Sequence, residues 1–202
     1  MTFETWLGFL AASAVMLVIP GPTILLVLQR ALAGGRSAAL PLVLGVAAGD
    51  LTAISLSLAG VGALLAASAA LFTAVRYAGA LYLIWLGIRL WRTPFTFEAA
   101  PAARGMMAMR DAYIVTALNP KAIVFFVAFV PPFLDPARPF LPQALILIGS
   151  FVTLAAANAL FYALAAARLG GMIRRPATGL ALHRLGGGVL VGAGVATALM
   201  RR

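Results

Sequence analysis

The chain contains no cysteine, a single histidine (His183) and only five acidic residues among its 202. Without cysteine there is no disulfide, no thiolate nucleophile and no thiolate metal site. One histidine and five scattered acids supply neither the clustered donors of a metal site nor the nucleophile, base and cation that work on lipid would need. No Gly-Lys-Ser/Thr phosphate loop and no His-Glu-x-x-His helix occurs, so ATP coupling and zinc hydrolysis find no support. No cofactor and no metal is therefore expected. Charge is scarce altogether: 10% of residues are charged against 63% hydrophobic, with a mean hydropathy of +1.05. Such values belong to multi-spanning membrane proteins rather than to soluble domains.

What charge there is carries a net +10. The basic residues are scattered between apolar runs instead of gathered on one face, so no nucleic-acid partner is expected. Runs long enough to cross a hydrocarbon core, about 20 helical residues each, occur near 3–28, 38–66, 69–91, 111–133, 141–167 and 179–200. The expected fold is all-α, a polytopic membrane protein of six transmembrane helices in contact with the lipid bilayer. Strands of alternating polarity are absent, so a β-barrel is not expected. The first basic residue, Arg30, follows the first run, so that run is expected to remain as a helix rather than act as a cleaved leader. Loops one, three and five hold Arg30 and Arg36, then Arg89, Arg92, Arg104 and Arg110, then Arg168, Arg174 and Arg175. Basic short loops stay cytoplasmic, which places both termini on the non-cytoplasmic side of the membrane, although Arg201 and Arg202 oppose that orientation.

Two interruptions organise the runs. Pro20-Gly21-Pro22 lies inside the first and Asn119-Pro120-Lys121 inside the fourth. Proline removes a backbone donor and clashes with the preceding turn, and broken backbone in lipid survives only where protein or a water-filled cavity satisfies it. Pro20 stands ten residues before Arg30 and Pro120 ten after Arg110. At about 1.5 Å per residue, both breaks lie roughly 15 Å into a core about 30 Å thick. Residues 1–92 and 111–202 thus read as two three-helix repeats of opposite sense, a 3+3 inverted repeat joined by a cytoplasmic linker at 93–110. Gly186 and Gly194 in the sixth run answer Gly79 and Gly87 in the third.

The polar residues at this depth are the candidate site. Amides at the helix start behind Pro20, Gly21, Pro22 and Thr23 can meet an anionic group such as a carboxylate; the alternative is a packing kink. Asn119, Pro120 and Lys121 form the second break, and a lysine this deep should face a polar interior unless it snorkels. Asp50, within Gly45-Val-Ala-Ala-Gly49-Asp50, can bind a substrate ammonium, carry a coupling proton, or form an ion pair with Lys121 or Arg76. Arg76 and Asn158 are secondary candidates, the first read as a snorkelling residue and the second as a cross-helix hydrogen-bonding residue. The glycines at 45, 49, 79, 87, 186, 187, 188, 192 and 194 read as close-packing surfaces between helices.

These residues resemble the LysE/RhtB family of amino-acid exporters. The likeness runs through Pro20-Gly21-Pro22, Gly35-Arg36, Gly45 and Gly49, Arg76 with Gly79-Ala80-Leu81-Tyr82-Leu83 and Gly87, Asn119-Pro120-Lys121-Ala122 with Phe125-Phe126 and Pro131, and Tyr162, Arg168, Pro176, Arg184 and Gly186. Thr23 stands where Asp or Asn is frequent, Ala39 where glycine is common and Arg76 where lysine is frequent. The resemblance implies a six-span inner-membrane transporter that exports amino acids or close derivatives, driven by the proton gradient, and not an enzyme. In that expectation the amides of Gly21 to Thr23 take the substrate carboxylate, Asp50 takes its ammonium or the proton, and Lys121 neutralises Asp50 in the empty site. An ion or heavy-metal exporter of the same broad architecture is the alternative, and a homo-oligomer is left open.

Overall fold

A computed structural model of the chain describes residues 1–92, 105–173 and 176–199. Among these the regular structure is entirely helical: α1 (Phe3–Val18), α2 (Pro22–Gly34), α3 (Ala39–Ala67), α4 (Ala69–Arg92), α5 (Met106–Ala117), α6 (Pro120–Val124), α7 (Phe140–Ile173) and α8 (Pro176–Leu199). Most of the stretch expected to be a linker, including Pro94, Pro101 and Arg104, lies outside the described residues, as do Arg174, Arg175, Arg201, Arg202 and the side chain of His183. Helix α5 begins at Met106 and so reaches back into that stretch.

Each boundary has a local cause. Thr2 caps α1, its hydroxyl accepting from the Thr5 amide at 3.2 Å. Helix α1 ends at Val18 because Pro20 and Pro22 cannot donate to the carbonyls four residues earlier. Pro22 then opens α2, where a missing N–H is harmless. Gly35, at φ 65°, supplies the left-handed turn that ends α2, and a 3-10 turn at Gly35–Ala38 leads into α3. Ser68 is extended and its hydroxyl accepts from Leu71 N at 3.2 Å, which separates α3 from α4. After the break before Pro120, α6 continues into a wide π turn at Phe125–Phe129 and a 3-10 turn at Pro131–Phe133.

Three stretches, Pro22–Leu64, Ala70–Arg92 and Phe140–Ala166, are long and apolar enough to cross a membrane. Met106–Ala117 and Pro120–Phe129, bent by 41° at their break, together make a fourth. Phe3–Val18 is a shorter apolar helix, and the Gly187–Leu199 part of α8 is apolar as well. Leu40, Leu56, Leu81 and Phe161 stand about two-thirds exposed, as side chains bathed in lipid would.

Backbones touch where glycine allows it. A Cβ on Gly45 would run into the Met109 carbonyl of α5, and one on Gly49 would lie 2.7 Å from Thr116 Cβ, so α3 and α5 cross almost without intervening side chains. Helix α4 meets α8 in the same way, with Gly87 opposite Gly187 and Gly194 against the Ala80 carbonyl, while Gly79 presses on Ala128 of the π turn. The expected glycine surface needs one correction: Cβ atoms at Gly188 and Gly192 would meet nothing within 4 Å, so these two face open space rather than a helix. The main core gathers Phe125, Phe126, Phe151, Ile54 and Leu147, and a second core packs Val27, Leu28, Leu42 and Val46 on the alanines of α5 and α7.

Candidate functional site

In a continuous helix residue i donates to the carbonyl of residue i−4, so Pro20 and Pro22 strip donors from Met16 and Val18, and the turn of the chain strips them from Leu17 and Ile19. Each of these four carbonyls has acquired a side chain. Lys121 Nζ donates to Met16 O at 3.1 Å and to Ile19 O at 2.9 Å. Asn158 Nδ2 donates to Leu17 O at 3.0 Å, and the Tyr162 hydroxyl to Val18 O at 2.7 Å. The ammonium also sits at the negative end of the α1 dipole, where a cation is favoured. Lys121 is 6% exposed, and only such a set of acceptors makes that burial tolerable.

The second break is tied to the first from its own side. Asn119 Oδ1 accepts from Lys121 N at 3.1 Å, which caps α6, while Asn119 Nδ2 donates to Thr23 Oγ1 at 3.1 Å. Thr116 Oγ1 donates to the same Thr23 oxygen at 3.3 Å. Thr23 thus accepts twice, leaving its own hydroxyl proton for a further acceptor. The first residues of α2 carry no side-chain cap, so the positive end of that helix is open to a ligand.

Between the breaks lies a cavity of about 30 Å³ whose wall includes Gly21, Thr23, Asp50, Asn119, Lys121 and Asn158. Gly21 borders Lys121 closely: a Cβ there would lie 3.3 Å from Nζ. Pro20, Pro22 and Pro120 are not in this wall; their part is to break the helices, and Pro20 faces an outer apolar groove. Asp50 is 4% exposed and looks into the cavity. The expected ion pair of Asp50 with Lys121 or Arg76 is not among the ion pairs of the described residues. The Lys121 ammonium is held on the α1 carbonyls instead and acts on Asp50 across the cavity. Arg76 stays away from this wall, buried to 7% exposure with its guanidinium 5.1 Å from the Tyr77 ring centroid, so it packs inside the protein rather than snorkelling freely. Elsewhere, Arg30 on α2 meets Asp111 on α5 at 2.7 Å, a polar tie between these two helices.

Tyr162 and Thr116 were not expected at the site. Tyr162 lies four residues after Asn158 and therefore on the same face of α7, and counting back four from each proline identifies the carbonyls that need donors. Tyr162→Phe removes the Val18 donor and should cost about 1 kcal/mol of stability. A lowered melting temperature of the detergent-solubilised protein, by about 2 to 4 °C per kcal/mol, would register it.

Helices broken in pairs, with their freed ends and buried charges turned on one internal cavity, are the build of a membrane transporter. The chain matches the model of the LysE type translocator family over residues 14–201 and belongs to that family. It is 35% identical over 198 residues to an uncharacterized membrane protein of Vibrio cholerae, covering 96% of this chain and 97% of that one. It is 34% identical over 204 residues to the homoserine/homoserine lactone efflux protein of Salmonella typhimurium, covering 98% of both. It is 32% identical over 134 residues to the leucine efflux protein of Klebsiella pneumoniae, covering 64% of this chain and 63% of the relative. No solved structure matches the chain.

Proposed function

We propose that this protein exports amino acids or close derivatives across the bacterial inner membrane, as a secondary transporter driven by the proton gradient. The observation that carries the reading is the single cavity onto which both helix breaks open, with Asp50, Lys121 and the uncapped start of α2 on its wall. Those groups complement a zwitterion. The α2 amides and Lys121 suit a carboxylate, and Asp50 suits an ammonium. Two relatives are named for efflux of homoserine, its lactone or leucine, which agrees with that chemistry. A metal cargo is less well served, because no cluster of three or more His, Cys, Asp or Glu side chains occurs among the described residues.

A cavity of about 30 Å³ has room for a water or two. Ligand pockets typically hold about 300 to 1,000 Å³, so the two halves must part to admit an amino acid. In the proposed cycle α1 with α2 forms one bent crossing and α5 with α6 another. Helices α3, α4, α7 and α8 complete six spans in a 3+3 inverted repeat, residues 1–92 against 111–202, with both termini outside the cytoplasm. One half rocks on the other about the breaks, giving alternating access, and the Arg30–Asp111 tie opens when the cytoplasmic side does. Substrate leaves Asp50 as a proton takes its place, an antiport. Proteoliposomes loaded with a panel of amino acids test this: efflux should appear and should accelerate when an inward proton gradient is imposed. A panel that leaves no faster than from empty vesicles would end the proposal.

A further inference from the structure

Arg76 has no part in the proposed cycle, yet its burial is costly. It lies on the buried stripe of α4 with Ala80, Leu83 and Gly87, and more than nine-tenths of it is covered. Its Nε is sealed from solvent without a hydrogen-bond partner, and no ion pair among the described residues includes it. Arginine does not escape such a place by losing its proton, so the charge stays and needs an acceptor. The acids of the chain are committed elsewhere. Asp111 holds Arg30, Asp135 holds Arg138, Asp50 looks into the charged cavity and Glu4 is exposed on the first turn of α1. Glu98, outside the described residues, follows Arg92 at the far end of α4.

The place of Arg76 in its span points to where the anion comes from. It stands six residues after Ala70, where the membrane-crossing stretch of α4 begins, or about 9 Å along the helix axis. A helical side chain leans toward the N-terminus of its helix, here the near edge of the bilayer, so the guanidinium is carried toward head-group level. Its carbon lies 5.1 Å from the centroid of the Tyr77 ring. Tyr77 is 44% exposed, one turn from the lipid-bathed Leu81. The charge thus sits at the border between the packed stripe and the lipid-facing flank of α4.

We propose that Arg76 and Tyr77 form a binding site for a phospholipid, with the guanidinium taking the phosphodiester of the head group. The planar fork of arginine matches two phosphate oxygens. Tyrosine at this depth offers its ring to the acyl region and its hydroxyl to the head group. The site is separate from the charged cavity, whose wall does not include Arg76.

Melting temperatures test this without any transport assay, so the result stands apart from the export reading. The delipidated protein in a maltoside detergent receives either dioleoylphosphatidylglycerol or dioleoylglycerol, which has the same tails and no phosphate. The first should raise the melting temperature by about 5 °C, and the second should not. Arg76→Gln should lose most of that rise, and without phospholipid it should melt no lower than the unaltered protein, because an unanswered buried charge has gone. Arg36→Gln, at an exposed position, should keep the rise and so excludes diffuse attraction. Arg76→Lys keeps the charge and loses the fork, so it should retain clearly less than the full rise; it decides the matter if Arg76→Gln does not fold. An undiminished rise in the Arg76 variants that fold, or an equal rise with dioleoylglycerol, would overturn the site. A rise given by free amino acids instead of the lipid, and lost with Arg76, would overturn it too by assigning the guanidinium to the cargo.

Discussion

Asp50→Asn should abolish gradient-driven efflux while leaving the protein folded. The carboxylate is buried at the wall of the cavity and forms none of the ion pairs found among the described residues, so exchange for an amide of nearly the same shape leaves no structural ion pair broken. Function is another matter. A buried charge that meets a substrate ammonium contributes about 2 to 5 kcal/mol, or about thirtyfold to several thousandfold in rate or affinity. Substrate exchange without a gradient separates the two roles given to Asp50. If it binds the ammonium, exchange is lost with efflux; if it only carries the proton, exchange survives. Efflux at the unaltered rate would remove Asp50 from the mechanism.

Lys121→Met should be worse, and for a different reason. The ammonium supplies the donors for Met16 O and Ile19 O. Each buried carbonyl left without a donor costs about 1 to 3 kcal/mol, so the pair alone takes a large share of a typical stability of about 5 to 15 kcal/mol. The Asp50 charge also loses its counterweight across the cavity. Melting temperature and yield of monodisperse protein should both fall. The double variant with Asp50→Asn distinguishes the two parts of the loss. If Lys121 chiefly offsets Asp50, the double variant recovers stability. The hydrogen bonds predict that most of the loss remains, since neither carbonyl regains a donor.

The proline breaks were legible in the sequence because proline acts locally: no tertiary contact can restore its missing N–H. Asp50 and Lys121 were legible as charges too deep in apolar runs to be idle. Their relation was not. Opposite charges at one depth suggest an ion pair, but Lys121 had a nearer claim in the carbonyls that Pro20 and the chain turn leave bare, and only the tertiary fold brings its side chain within reach of them. Glycine shows the same limit. Gly45 and Gly49 lie on the helical face that α5 approaches, whereas Gly188 and Gly192 share their composition and face open space. Periodicity marks a small-residue surface, but the partner decides whether it is filled. Arg76 was read from its place near a helix end, yet packing buries it.

Because the chain has no cysteine of its own, a single introduced one reports without background. Thr23→Cys places a thiol in the cavity wall, against Asn119 and beside both breaks. Its modification by a membrane-impermeant, charged thiol reagent, added to one side of sealed vesicles and then the other, measures whether the two broken helices line one substrate path. Slow labelling from each side, suppressed by a transported amino acid, is the predicted result. Labelling confined to lipid-soluble reagents and indifferent to amino acids would contradict the account, because the break at Pro20-Gly21-Pro22 would then face the bilayer.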